Sequence, residues 1–369
     1  MLPPARTRSR LNGSMIGRLA SGALVAVLAT GSAQPLVHAA PPAGGHIDAT
    51  VWLPYWQRGA VDDISASASA FSSASLFWYD ASCSNVRRSP GAGGPADVAR
   101  LEARGLQVMA TVVGGGLPAS RAVHCFNNNK RRHAHVRQLV RLAVRGRYAG
   151  IDIDYETLAH TTRPHQARRV RAAFDRFVDD LCPALHRHGK TCSVTVMPRV
   201  DDSYRRWHRI LIPAVYDYRT IARTADRMRV MAYDEHGRNS NAGPIAGAPW
   251  VRRVIAYTAT KARLAKVQLG IPTYGRDFSH HASIAMSTPA ALALARRHGV
   301  RPHFDAVQRE GRFVYHSSGV RHVVWFSNPR AVAFRTRLAV TRRLAGTAYW
   351  AAGLERAGTW RAVRIAQEK

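Results

Sequence analysis

The run Tyr148-Ala149-Gly150-Ile151-Asp152-Ile153-Asp154-Tyr155-Glu156 carries the clearest chemical signal in the chain. Successive side chains of a β-strand point to opposite faces. Asp152, Asp154 and Glu156 therefore share one face, and Ile151, Ile153 and Tyr155 share the other. The apolar set suits packing against helices. Three carboxyls on one strand face repel one another, so at least one should have a raised pKa and hold a proton near neutral pH. A carboxyl that keeps its proton at neutral pH can serve as a general acid. Glu156, last in the row and longest in reach, is the candidate acid, and Asp154 would share or relay its proton. A solvated acidic turn would not need the interleaved isoleucines. A divalent-metal cluster matches carboxylate chemistry, but all three ligands would come from one strand with no supporting Asn/Asp/Gly loop.

The elements that must carry this row alternate along the chain. Strand candidates are Thr50–Leu53, Ser75–Tyr79, Leu106–Val113, Gly150–Asp154, Cys192–Met197, Arg227–Tyr233, Lys266–Pro272 and Gly346–Trp350. Most are apolar runs of the length a buried parallel strand needs. Between them, Ala134–Arg145 and Val170–Leu185 space their apolar residues as helices do. Strands alternating with helices in this way predict an α/β fold, the (β/α)8 TIM barrel, with Glu156 at the C-terminal mouth where barrel active sites lie. The runner-up is an open doubly wound sheet, but no G-x-G-x-x-G opens a helix after the first strand. Between the seventh and eighth strands, Arg312–Tyr315 and Arg321–Phe326 flank Ser317-Ser318-Gly319. That pattern reads as a small β-hairpin insertion.

Length and composition fit one large barrel. The chain has 369 residues, of which 46% are hydrophobic, enough to bury a sizeable core. Residues 1–39 read as a signal peptide: Arg6, Arg8 and Arg10 precede an apolar stretch from about Ile16 to Leu28, and Val37-His38-Ala39 fits a small-residue cleavage site. The apolar stretch is shorter than a membrane span. No other segment is apolar enough to cross a bilayer, so the expectation is an exported protein without a transmembrane anchor, secreted or periplasmic. The barrel is expected over residues 45–369. The formal net charge of +31 favours anionic envelope polymers or other polyanions. Lysine occurs only at positions 130, 190, 261, 266 and 369, however, and so strong a preference for arginine also fits a GC-rich genome. No nucleic-acid-binding motif accompanies the arginines, so no specific nucleic acid is expected. The cysteines, at 83, 125, 182 and 192, form no C-x-x-C pair, which argues against zinc. An even number in an exported chain suggests disulfides, here Cys83–Cys125 and Cys182–Cys192, each joining elements adjacent in the barrel.

The acidic strand resembles the D-x-x-D-x-D-x-E signature of glycoside hydrolase family 18, the chitinases and related N-acetylglucosaminidases. Three further segments resemble that family in order: Met231-Ala232-Tyr233-Asp234 on the sixth strand, Gly270-Ile271-Pro272-Thr273-Tyr274-Gly275-Arg276 at the seventh, and Trp350 ending the eighth. The resemblance spans roughly Thr50 to Glu355. Asp234-Glu235-His236, Gly243-Pro244-Ile245 and the stretch from Ser318 to Trp325 look most like bacterial enzymes of the spore-cortex-lytic type, which act on peptidoglycan, although no LysM-like repeat is visible.

The resemblance implies substrate-assisted retention, with Glu156 as acid and then base, Asp154 orienting an N-acetyl group, Tyr233 donating to it and Asp152 tuning Asp154. It places Asp234, Tyr274, Arg276 and Trp350 in substrate binding, with Trp350 under the sugar. It implies a polysaccharide substrate, peptidoglycan or chitin oligomers, no cofactor and no metal; the chain is expected to be a monomer. Tyr55, Trp56 and Trp78 lie near strand ends, where core packing and subsite lining are both open readings. Ala149 occupies the first aspartate position of the signature, and Val112 the serine position of an S-x-G-G motif; in the family both absent groups support the inner aspartates. A second class is a non-catalytic sugar- or cell-wall-binding barrel. Relatives of that kind lose the acid at the position that Glu156 keeps.

Overall fold

Eight strands of this chain pair edge to edge until the last meets the first. The computed structural model describes residues 47–160, 163–203, 215–238, 240–280 and 282–368. The expected signal segment, 1–39, lies outside the described residues. The strands are β1 (Asp48–Pro54), β2 (Ser73–Ala81), β3 (Val86–Arg88), β4 (Gln107–Val113), β5 (Gly150–Asp154), β6 (Thr191–Val196), β7 (Arg227–Val230), β8 (Val267–Pro272), β9 (Tyr274–Ser279), β10 (Ala282–Ser287), β11 (His303–Asp305), β12 (Glu310–Ser317), β13 (Val320–Phe326) and β14 (Gly346–Trp350). The ring β1-β2-β4-β5-β6-β7-β8-β14 is parallel throughout and closes through β14–β1 pairing. This is a (β/α)8 TIM barrel. The helices are α1 (Ala60–Ala66), α2 (Pro95–Glu102), α3 (Ala119–Phe126), α4 (Asn129–Arg145), α5 (Pro164–His186), α6 (Tyr218–Thr224), α7 (Ala248–Ala259), α8 (Thr288–Arg297), α9 (Pro329–Thr341) and α10 (Thr359–Gln367).

The strand that carries the carboxyls shows how the barrel is held. Ile151 and Ile153 are fully buried, in one contiguous core with Leu139 and Ala143 of α4 and Phe174, Phe177 and Leu181 of α5. Burying an aliphatic or aromatic side chain of this size is worth about 1.5–3 kcal/mol. At the start of β5, Gly150 lies so close to its neighbour that a Cβ there would sit 2.3 Å from the Thr191 carbonyl oxygen. Only glycine lets β5 and β6 approach at that level. Helix α4 begins where Asn128 accepts a hydrogen bond from the Arg131 amide at 3.0 Å, and α5 begins with a proline at its first position. Cys83–Cys125 and Cys182–Cys192 are both disulfide-bonded.

Two elements differ from the sequence reading. The expected seventh-to-eighth-strand hairpin is present as β12 and β13, and its turn residues Ser318 and Gly319 both have positive φ, 49° and 73°. It is the centre of a larger insertion, a five-stranded antiparallel sheet ordered β10-β9-β13-β12-β11. The extra strands escape a hydrophobicity pattern for a physical reason: Ile284, the largest apolar side chain of β10, is 73% exposed. Helix α8 seals this sheet through Ala291, Leu294 and Ala295 against Phe313, Val324 and Phe326. The sixth barrel strand also stops early. Beyond Val230 the chain folds into tight turns, with the Ala232 amide bonded to the Val230 carbonyl at 2.8 Å and the Tyr233 amide to the Met231 carbonyl at 2.7 Å. Asp234 then takes a left-handed φ of 57°, a region that aspartate tolerates better than most residues.

The insertion is tied to the barrel by a buried ion pair. Arg335 of α9 meets Glu310 of β12 at 2.8 Å, and both side chains are fully buried. Glu310 also accepts the amides of Ile245 and Ala246 at 2.8 and 3.1 Å, which pins the segment after β7. Replacing Arg335 with leucine strands a carboxylate in the core and should cost about 3–5 kcal/mol by chemical denaturation. The loss should grow as pH rises, because at low pH Glu310 escapes its uncompensated charge by protonation. A pH-independent loss under 1 kcal/mol, to order of magnitude, would remove the pair from this role.

Candidate active site

At the C-terminal ends of the barrel strands lies a cleft of about 580 Å³. Glu156, Asp154, Tyr233, Asp234, Tyr274, Arg276 and Trp350 all line it. Of the sequence-derived set, Asp152 alone does not. It sits below the cleft inside the barrel, wholly buried.

The column of carboxyls is graded by its surroundings. Asp152 accepts from Trp52 Nε1 at 3.0 Å, Thr111 Oγ1 at 3.1 Å and Thr195 Oγ1 at 3.0 Å, and pairs with Arg229 at 2.8 Å. Asp154, one step higher, is 4% exposed, and its Oδ1 has no hydrogen-bond partner among the described residues. Burial pushes its pKa well above the carboxylate range; the charges of Glu156 and Asp152 push the same way, and Arg229 opposes them. Glu156 at the mouth is pushed up to about 7, first by burial and then by the charge of Asp234. A carboxyl titrating there is a proton donor poised for neutral pH.

The backbone under Glu156 is fixed from behind. Tyr155 turns outward from β5 and stacks on Phe177 of α5, centroids 5.7 Å apart, while its hydroxyl meets His135 Nε2 at 2.8 Å. Tyr216 Oη donates to the Tyr155 carbonyl at 3.0 Å. Thr157 Oγ1 donates to the Gly114 carbonyl, joining the end of the acidic strand to the loop after β4.

The turns after β7 aim two consecutive side chains at the cleft. Burial, followed by the charges of Asp154 and Glu156, raises the Tyr233 pKa, so its phenol stays a donor. Asp234 accepts a bidentate fork from Arg276, Nε at 2.9 Å and Nη2 at 3.0 Å, and a third bond from Tyr274 Oη at 2.5 Å. Arg276 and Tyr274 belong to β9, so the insertion sheet forms one wall, with Met286 and Ser287 of β10 beside them. The opposite floor is aromatic. Trp350 packs edge-on against Phe77 at 4.8 Å, Trp52 at 5.9 Å and Trp56 at 6.3 Å. Trp56 is 49% exposed and lines the cleft, whereas Trp78 is buried in the core.

Several residues here were missed from sequence. Arg229, Thr111, Thr195 and Trp52 all hold Asp152. The legible signal was an arginine between Met228 and Val230 on a barrel strand, where bulk water cannot solvate it. The support expected from a serine at Val112 is supplied instead by Thr111. Val112 faces the outer core, and the Thr111 hydroxyl reaches both Asp152 and Ser75, the latter at 2.8 Å.

A carboxyl titrating near neutrality above a second buried one, over an aromatic floor, is an arrangement suited to a glycoside hydrolase. Residues 65–355 match the profile described as Glycosyl hydrolases family 18, and the chain belongs to that family. It is 29% identical over 248 residues to the uncharacterized glycosylase YvbX of Bacillus subtilis (strain 168), covering 66% of this chain and 68% of that protein. It is 26% identical over 218 residues to the cortical fragment-lytic enzyme of Bacillus anthracis, covering 57% of this chain and 48% of that protein, and so spans about half of its length. The crystal structure of a chitinase from Chromobacterium violaceum ATCC 12472 superposes with a TM-score of 0.78 at 26% identity, covering 88% of this chain and 99% of that one.

The raised carboxyl has a cost in stability. Glu156 has a folded pKa of about 7 against about 4.3 unfolded, so its contribution is lost as pH rises through that window. Glu156→Gln should therefore melt at a higher temperature than the wild type above about pH 7, while its kcat falls by about 10²–10⁴-fold. Thermal unfolding and initial rates on an N-acetylated oligosaccharide test both halves; an undiminished kcat would take the acid role from Glu156.

Proposed function

We propose that this chain is exported and cleaves β-1,4 bonds after N-acetylglucosamine in peptidoglycan or chitin-type polymers by substrate-assisted retention. The observation that carries the reading is the buried Asp154 with an unpartnered Oδ1, directly beneath a Glu156 that keeps its proton to about pH 7. A hydrogen-bonding position left empty at that depth is expensive unless a ligand fills it. The N–H of an acetamido group is a donor of the right kind.

Glu156 gives its proton to the glycosidic oxygen as the bond from that oxygen to the anomeric carbon breaks. The acetamido carbonyl oxygen of the same sugar attacks the anomeric carbon, forming a cyclic oxazolinium. Asp154 accepts the acetamido N–H and stabilises the positive ring, and the Tyr233 phenol donates to the acetamido oxygen. Glu156, now a carboxylate, takes a proton from water as that water opens the ring, and the configuration is retained. Trp350 offers a stacking face beneath the sugar. Asp234, fixed by Arg276 and Tyr274, presents its remaining acceptor capacity to sugar hydroxyls. The scheme uses a single chain and neither metal nor cofactor.

The signal-like segment at residues 1–39 and the two disulfides support export. The net charge of +31 supports adhesion to anionic envelope polymers. A hollow of about 640 Å³ on the outer surface between α4 and α5, lined by Arg137, Arg141, Arg145 and Arg187 and by the acids Asp179 and Asp180, keeps an excess of cationic side chains toward such polymers.

Mass spectrometry of soluble products from purified peptidoglycan and from chitin oligosaccharides tests the reaction. The expected fragments carry N-acetylglucosamine at the new reducing end, and Glu156→Gln should release them about 10²–10⁴-fold more slowly. The polymer cut faster is the natural class. Binding to either polymer without release by the wild type would move the sugar-binding reading to the front. For the charge, hydrolysis of insoluble wall should fall as salt rises while hydrolysis of a neutral soluble oligosaccharide does not. Equal salt sensitivity of the two would refute adhesion through charge.

A further inference from the structure

Inside the barrel, Arg229 makes a set of contacts that its burial alone does not require. Its side chain is 1% exposed and that of Asp152 is fully buried, so the pair bears a full desolvation penalty. The guanidinium is held from four strands besides its own. Nη1 donates to Ser75 Oγ of β2 at 3.0 Å, and Nε to Gln268 Oε1 of β8 at 2.7 Å. Nη2 reaches Thr50 Oγ1 of β1 at 3.4 Å and Met109 Sδ of β4 at 3.5 Å, and the group lies 5.5 Å from the Trp52 ring. Both partners are thereby locked. Oδ2 of Asp152 takes three donors and Oδ1 a fourth, which leaves the carboxyl no freedom to rotate.

Resting on the glycosidase reading above, we propose that Arg229 is a positioning residue for the reaction. It fixes Asp152 as a permanent carboxylate, so the mobile proton of the column is confined to Asp154 and Glu156. Without the guanidinium, the deepest carboxyl would be the cheapest place for that proton, because an uncompensated charge is most costly there. The proton would then sit out of reach of the cleft. Ala149, at the first aspartate position of the acidic signature, contributes no acidic group to this floor; Arg229 contributes a cation from the strand next but one.

The charged and titratable groups around the column are few. Asp154 on β5 and Glu156 just beyond its end rise above Asp152. Tyr233 and Asp234 follow β7, Tyr216 precedes α6, and Tyr274 and Arg276 enter from β9. Beneath, Asp48 and Arg227 connect to the floor through Gln268. The inward groups of β1, β2, β4 and β6 around Asp152 are Trp52, Ser75, Thr111 and Thr195, all neutral. Arg229 is thus the one cation in direct contact with Asp152 among the described residues.

The test compares Arg229→Met, Arg229→Lys and the double variant Arg229→Met/Asp152→Asn with the wild type. Removing a buried cation raises the proton affinity of every neighbouring carboxyl. In Arg229→Met both limbs of the pH profile of kcat/KM on a soluble N-acetylated oligosaccharide should move to higher pH, by on the order of one unit. Arg229→Lys, which keeps the charge, and the double variant, which removes both charges, should return the limbs towards wild type. A second readout needs no hydrolysis. The drop in Tm caused by Arg229→Met should be larger at about pH 8 than at about pH 5, because protonating Asp152 relieves the stranded charge, and the double variant should lose that dependence. Unmoved limbs together with a pH-independent drop in Tm would reduce Arg229 to a packing element and overturn the proposal. Should Arg229→Met fail to fold, a double variant that folds but keeps shifted limbs would overturn it equally. A wild type that hydrolyses nothing would sink the glycosidase reading, and the Tm comparison would still decide whether Arg229 sets the charge of Asp152.

Discussion

Like charges stacked on one strand face repel, and the arrangement of this barrel follows from managing that repulsion. Asp152 and Asp154 of β5 and Glu156 just beyond its end stand close together and cannot all ionise cheaply in a space that excludes water. The structure resolves the conflict by depth. At the bottom, three neutral donors and a guanidinium surround Asp152. In the middle, Asp154 is buried with Oδ1 unpartnered among the described residues, and burial raises its pKa well above the carboxylate range. At the mouth, Glu156 is left titrating near neutrality. The polar lining of the barrel floor, with Ser75, Thr111, Thr195 and Gln268 where aliphatic layers are usual, serves this gradient.

That logic is partly legible in the sequence. Period-two alternation between carboxyls and isoleucines placed the acids on one face, and repulsion alone required a raised pKa. Apolar runs of strand length separated by helical spacing were sufficient for the barrel. The compensating cation was hidden because it comes from Arg229, 77 positions along the chain from Asp152. Single-strand patterning carries no information on which strands become neighbours across an interior. The replacement of a serine at 112 by a threonine at 111 was hidden for a related reason: the strand register relative to the barrel axis decides which of two adjacent residues points inward.

The turn after β7 and the insertion sheet were obscured by other causes. Met231 and Ala232 extend the apolar run of β7, but short-range backbone hydrogen bonds bend the chain there and bring Tyr233 and Asp234 to bear on one cleft. The sheet partner of Asp234 is then β9, which follows β8 after a single residue yet belongs to a different layer. The bidentate fork from Arg276 to Asp234 therefore ties the insertion sheet to the turns after β7 at the wall of the cleft.

The insertion has an apolar cluster of its own, in which Phe313, Tyr315, Val324 and Phe326 close on α8 apart from the barrel interior. Residues of β10 that face the cleft, such as Met286 and Ser287, hang from that cluster and not from the barrel floor. The wall is nonetheless wired to the mouth of the barrel: Arg276 of the same sheet holds Asp234, whose charge raises Glu156, so loosening that fork would be felt in how tightly the proton is held there.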